Sequence, residues 1–188
     1  MTTFDFRDGN GPVAAHRHPH GGGWVADTAR VSGNARVSGN ARVSGNALVF
    51  GDACVSGNAQ VVGNAQVFGD ARVSGNAWVF GDACVSGNAQ VSGNALVFGD
   101  ACVSGNAQVS GNAWVSTGEW KRSPLYIQGS RYFIMHSGPS LIRSGCIEKP
   151  FSWWQENVIR CAEENGYTKE QQEEYREYVN LIIKLCSH

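Results

Sequence analysis

Alanine returns at every sixth position from Ala29 to Ala113, and a valine follows each alanine two places later without exception. The fifteen units share the consensus A-x-V-x-G-N/D, and a degenerate unit, Gly23-Trp24-Val25-Ala26-Asp27-Thr28, precedes them. In an extended chain, residues two apart share a face. Ala and Val therefore point to one side and the two x residues to the other. Gly-Asn or Gly-Asp supplies the left-handed or turn backbone that ends each strand. A four-residue strand and a two-residue corner make one side of a coil. An isolated coil cannot bury its Ala/Val row, but coils stacked about 4.8 Å apart build a continuous core and pair every strand with its neighbours.

The units resemble those of the hexapeptide-repeat superfamily, in which an aliphatic residue is followed four places later by a small one: Val31 then Ala35, Val37 then Ala41, and so on to Val109 then Ala113. The resemblance implies a left-handed parallel β-helix with three sides. Three units then make one coil, positions eighteen apart stack, and the array forms about five coils. The fold class expected is mainly β, a left-handed parallel β-helix followed by a small C-terminal α+β domain. The segments are a lead-in over 1–28, the coils over 29–116 and a cap over 117–188.

Stacking sorts the outward residues by face. One face presents Arg42/Ser44, Gln60/Val62, Trp78/Phe80, Leu96/Phe98 and Trp114/Ser116. Val62, Trp78, Phe80, Leu96, Phe98 and Trp114 thus form an outward apolar stripe, larger than a monomer usually leaves in water. Its candidate covers are the chain's own cap, a second copy or a foreign partner. Arg30, Arg36 and Arg42 occupy the same slot on three sides of the first full coil, a basic collar with Arg17 nearby in sequence and with the planar forks that suit phosphate or carboxylate; a solvated rim is the plainer reading.

The lead-in FDFRDGNGPVAAHRHPHGGGW reads as an irregular segment that covers the first coil, whose open edge would otherwise invite aggregation. His16, His18 and His20 could share a face and bind metal, although Pro19 and the glycines around them offer no supporting shell. After Ser116 the composition turns charged and aromatic. Leu125–Gln128, Arg131–His136 and Leu141–Ile147 read as strands. Ser152 with Gln155 reads as a capping box opening a helix through Glu164, and Thr168 with Gln171 opens a second helix to about Leu185. Trp153 and Trp154 read as cap core. The lead-in, coils and GSR…RSGC tail together look similar to hexapeptide-repeat proteins frequent in phage and prophage genomes.

The resemblance implies acyl transfer or zinc carbonic anhydrase chemistry for the enzymes of this superfamily, and both rely on histidines on or between coils. From Ala29 to Ser116 this chain has no His, Glu, Lys or Tyr, so its coils hold neither a general base near neutral pH nor an imidazole for zinc. His136 or the N-terminal histidines would have to serve. Asp52 stacks on Asp70 and Asp82 on Asp100; such pairs could hold a cation, but Asp and Asn both suit this turn position. Cys84 and Cys102 stack without a nearby base. The six cysteines form no CxxC pair, which argues for reduced thiols. No catalytic residue, metal or cofactor is assigned.

Fifteen basic and sixteen acidic residues give a net charge of −1, which removes the prior for nucleic acid that a basic chain would carry. Without an apolar stretch after Met1 or elsewhere, neither a leader nor a membrane span is expected, and the cytoplasm is the expected location. Residues 151–188 carry seven Glu against four Lys or Arg. Glu170, Glu173, Glu174 and Glu177 are the candidate contacts for a protein with a basic surface. The function expected is a non-enzymatic binding protein that forms a homo-oligomer, a trimer by the resemblance, and presents its cap to a macromolecular partner, as an inhibitor of a host enzyme or defence complex in a phage setting. A divergent acyltransferase and a structural virion component are the alternatives.

Overall fold

Each repeat unit folds as a short strand and a corner, and every third unit falls in the same sheet. In the computed structural model, which describes residues 2–186, Trp78 pairs in parallel with Gln60 and Leu96, Cys84 with Gln66 and Cys102, and Gln90 with Arg72 and Gln108. The eighteen-residue register holds throughout, and three sheets wrap a β-solenoid of about five turns. The paired stretch of each side is two residues, as in Trp78–Val79, shorter than the four expected. Turns consume the rest: the Ala77 N–H donates back to the Ser74 carbonyl at 3.3 Å, closing Ser74-Gly75-Asn76-Ala77.

The inward residues form a dry column. From Ala35 to Val115 every repeat Ala and Val is at most 1% exposed. In most units three backbone bonds tie one coil to the next. Trp78 N–H donates to Ala95, Phe80 N–H to Val97 and Asp82 N–H to Gly99, at 2.9–3.0 Å. Corners are thus paired as well as sides, as in Asn58 N–H to Gly75 and Asn76 N–H to Gly93. The glycines lie at φ between +62° and +77° along the array, and a Cβ on Gly75 would sit 3.0 Å from the backbone of Gly93. No other residue meets both conditions.

Side-chain amides add ladders outside the corners. Asn40 donates to Asn58, Asn58 to Asn76, Asn76 to Asn94 and Asn94 to Asn112, at 2.9–3.1 Å. The other two corners run Asn34 to Asp52 and Asn46 to Asn64 to Asp82. Each stops there, because a carboxylate has no N–H to pass on, and the first resumes with Asn88 to Asn106. At those two joints a phenylalanine pair stacks instead. Phe50 lies on Phe68 at 4.8 Å and Phe80 on Phe98 at 5.1 Å, nearly parallel in both cases. Aromatic stacking of this kind contributes about 0.5–1.5 kcal/mol, comparable with the net worth of the missing hydrogen bond. Each Phe that precedes a Gly-Asp belongs to one of these two pairs.

The lead-in is not irregular. Thr3–Asp5 and Pro12–Arg17 form an antiparallel hairpin, and the second strand pairs with Trp24–Ala26, extending one solenoid sheet to eight strands. Alternation explains it: Phe6, Ala15 and Ala26 pack together with Phe4, Val13 and Trp24 around them. The turn residues Arg7, Gly9 and Gly11 all take positive φ, a combination that the Gly and Pro content alone does not distinguish from loop.

Beyond the division between Ser123 and Pro124 lies the second unit. It holds a four-stranded antiparallel sheet, Tyr126–Gln128, Phe133–Gly138, Leu141–Ser144 and Ile147–Pro150, and helices Phe151–Glu164 and Lys169–Cys186. The expected strand Leu141–Ile147 is a hairpin, turned at Gly145 with φ +55°. Ile134, Ile142, Phe151, Trp154, Val158, Tyr175, Val179 and Ile182 form the core. Trp154 is buried and Trp153 half-buried. The second helix opens with the expected capping box: Thr168 N–H donates to Gln171 Oε1 and Gln171 N–H to Thr168 Oγ1. The first does not. Its N-cap is Pro150, without a side-chain cap bond, because the strand runs directly into the helix and leaves Ser152 already inside the first turn. Among the described residues no helix is long and apolar enough to cross a membrane.

Two stability measurements check this packing. Gly75→Ala and Gly111→Ala both introduce an L side chain at left-handed φ, costing about 1–2 kcal/mol, but Gly111 has nothing within 4 Å of its Cβ position. In urea denaturation Gly75→Ala is expected to be the less stable; equal losses would show that the glycine columns do not set coil spacing. Asp52→Asn supplies the missing donor toward Asp70 and is expected to raise stability by about 0.5–1.5 kcal/mol.

Candidate functional site

The eight-stranded sheet carries the most differentiated outer surface. Down its lower half Trp78 meets Phe80 edge-on at 6.4 Å, Phe80 stacks on Phe98, and Phe98 meets Trp114 edge-on at 6.4 Å. Trp78 is 44% exposed; Val62, Phe80, Leu96, Phe98 and Trp114 are half-buried. The expected stripe is thus assembled by the eighteen-residue register. Ring packing within it leaves flat apolar area facing outward.

The upper half of the same face is a groove of about 630 Å³, lined by Phe4, Arg7, Arg17, Trp24, Asn40, Arg42, Asn58, Gln60 and Trp78. The hairpin builds its rim. Phe4 stacks on Trp24 at 4.3 Å, the Arg17 guanidinium lies 4.3 Å from the Trp24 ring, and that of Arg42 lies 5.2 Å from the Phe4 ring. Arg17 Nη1 donates to the Gly22 carbonyl and Arg42 Nη1 to that of Phe6. Of the expected arginine collar, then, only Arg42 reaches this groove. Arg36 borders a separate groove with Pro19, His20, Gly21 and Asn34, and Arg30 stands on another sheet. Arg7 and Arg17 replace them, brought in by the hairpin that the sequence pattern did not reveal.

The three N-terminal histidines do not share one partner. His16 Nδ1 lies 2.8 Å from Asp27. His18 is buried, meets the His20 ring edge-on, and is held below the usual histidine range by burial. Among the described residues no three His, Cys, Asp or Glu converge on a common point. His136 Nε2 is shut off from solvent, and burial pushes its pKa down; a proton acceptor for an external substrate needs access it does not have. Burial and the neighbouring Cys102 push the Cys84 thiol up, away from nucleophilic thiolate.

The acidic helix divides its charges between structure and surface. Glu174 accepts from Ser130 N–H at 2.8 Å, and Glu173 pairs with Arg176. Glu170 and Glu177 are exposed. The second unit also holds a cleft of about 310 Å³ between sheet and helices, walled by Tyr132, Ile147, Trp154, Val158, Tyr167 and Tyr175, with Cys146 and Cys161 at its edge. Tyr175 Oη donates to the Tyr132 carbonyl and accepts from Tyr132 N–H, fixing one wall. Burial pushes the Tyr167 phenol up to about 12 and the Cys161 thiol up as well. The cleft therefore offers apolar contact rather than acid–base chemistry. Aromatic residues scattered over 132–175 gave no sequence signal for it.

Four stretches of the coils, residues 29–44, 41–57, 65–81 and 89–105, match the YdcK β-solenoid repeat. The chain thus carries a YdcK-type β-solenoid repeat, a likeness of architecture that indicates no function. No curated protein and no solved structure matches the chain.

His18 and His136 set a pH dependence. Each has a folded pKa below the ordinary 6.5, so the unfolded chain takes up the proton first. Stability is complete above about pH 6.5 and is lost as pH falls from there toward the lowered folded values. Thermal unfolding of the wild type is expected to shift down between about pH 7.5 and about pH 5.5, and His136→Gln is expected to show a smaller shift.

Proposed function

We propose that this protein is a non-enzymatic scaffold: copies associate through the lower half of the aromatic face and so display several caps to a macromolecular partner. The observation that carries the reading is the set of outward rings of Phe80, Phe98 and Trp114 on a sheet whose own core is already complete without them. Covering such area contributes about 25 cal/mol per Å². A second copy brings an identical ladder, and closed rings of copies are the usual symmetric solution. Three copies is the number implied by the hexapeptide-repeat resemblance. The exposed Glu170 and Glu177 on the second helix support a partner with a basic surface. Inhibition of a host enzyme in a phage or prophage setting is the form this presentation takes in the proposal, supported by the resemblance alone.

Phe80→Ser with Phe98→Ser tests it. Serine fills the same outward slot at Ser44 and Ser116 on this face, so the solenoid is expected to keep its circular dichroism. Sedimentation velocity is expected to show an oligomer for the wild type and a monomer for the double variant. A monomeric wild type would sink the proposal.

A further inference from the structure

We propose that the groove on the upper half of the aromatic face binds a small phosphorylated ligand with a planar ring, of the nucleotide class. Three guanidinium groups, Arg7, Arg17 and Arg42, line one cavity, and none of them forms an ion pair with a carboxylate among the described residues. The nearest acids in sequence bond neutral donors rather than these guanidinium groups: Asp5 accepts from the Arg7 backbone N–H, and Asp8 accepts from Asn10 N–H and the Ser44 hydroxyl. Three guanidinium groups on one cavity, none of them paired with a carboxylate among the described residues, suit an anion. Planar guanidinium forks bind phosphate through paired N–H bonds, and three of them exceed what one carboxylate can use.

Two of the arginines are held in place before any ligand arrives. Arg17 is fixed over Trp24 and bonded to Gly22, and Arg42 is fixed near Phe4 and bonded to Phe6. Each keeps further N–H groups for a ligand. Arg7 sits at φ +60°, a backbone state uncommon for a residue with a side chain and found often where function demands it.

The rest of the groove suits a ring. Trp78 stands two coils beyond Arg42 in the same register, about 10 Å away at the spacing of stacked strands, and it is the most exposed aromatic of the sheet's ladder. Between them in the same register lies Gln60, whose amide can both donate and accept along the edge of a base or a sugar, while Asn40 and Asn58 beside it are tied into the corner ladder. The volume of about 630 Å³ lies within the range of small-ligand sites. A polymer fits less well: beyond Trp78 the face continues with Leu96 and Trp114, without further basic residues to track a backbone.

The test is calorimetric titration of the full-length protein with AMP, GMP, CMP and UMP, with the matching nucleosides and inorganic phosphate as controls. At least one monophosphate is expected to bind saturably and at least about tenfold tighter than its nucleoside or phosphate alone, since each set of contacts contributes. Arg17→Gln and Arg42→Gln are each expected to weaken it by about tenfold. Trp78→Gln, which copies the residue native at position 60 in the same slot, is expected to weaken it and to remove ligand-induced tryptophan quenching. Arg30→Gln, on another sheet, is expected to change nothing. Absence of saturable binding by all four monophosphates, phosphate binding as tightly as any of them, or tighter binding of a ten-residue oligothymidylate would overturn the proposal. The Phe80→Ser/Phe98→Ser protein is expected to bind like wild type, so loss of self-association and loss of ligand binding are separate outcomes.

Discussion

Backbone meets backbone at the corners of the solenoid, and everything else follows from that contact. Gly45 would place a Cβ 2.8 Å from Gly63, Gly75 one 3.0 Å from Gly93, and Gly93 one 2.9 Å from Gly111. A column this close admits no side chain. It also brings the corner amide within 2.8–3.0 Å of the next glycine carbonyl, as in Asn58 to Gly75 and Asp52 to Gly69. With corners fixed, the inward width is fixed too, and Ala with Val fills it with no detectable exposure over most of the array. The monotony of the repeat is the imprint of one repeated steric condition.

That condition constrains four of the six positions and leaves two free. The outward slots accept Arg, Leu, Cys, Gln, Trp, Ser, Phe and Val without disturbing the register. Variation there has local consequences alone. Phe50 on Phe68 and Phe80 on Phe98 reinforce the joints where Asp interrupts the amide ladders. On the eight-stranded sheet the free slots and the added hairpin give two unlike halves, a cationic groove above and an apolar ladder below. A solenoid is well suited to such division, because coil position alone decides which side chains become neighbours.

Residues that obey the period were legible in the sequence. Ala29 to Val115, the stacking of Trp78 on Leu96, and the order of the aromatic stripe all follow from counting by eighteen. So did the Thr168–Gln171 capping box, which depends on four adjacent residues. What depended on contacts far apart in sequence was not legible. Arg7 and Arg17 join Arg42 because Thr3–Asp5 and Pro12–Arg17 pair as a hairpin beside Trp24–Ala26, and the glycines of that segment disguise the strands. The Ser152–Gln155 pair had a correct local pattern, but the preceding strand already ends at Pro150 and sets the helix start. The cap cleft joins Tyr132 with Tyr167 and Tyr175, residues that no period or spacing connects.

Amide hydrogen exchange resolved along the coils tests most directly the claim that inward packing and glycine contacts hold the scaffold while outward residues are free to serve recognition. Amides of the interior coils are expected to share one slow rate set by global opening, so that Trp78, Cys84 and Gln90, which occupy equivalent slots with unlike side chains, are protected alike. Protection that instead followed the outward residue, high beside Trp78 and low beside Gln90, would contradict the account, because the decorations would then be holding the coils together.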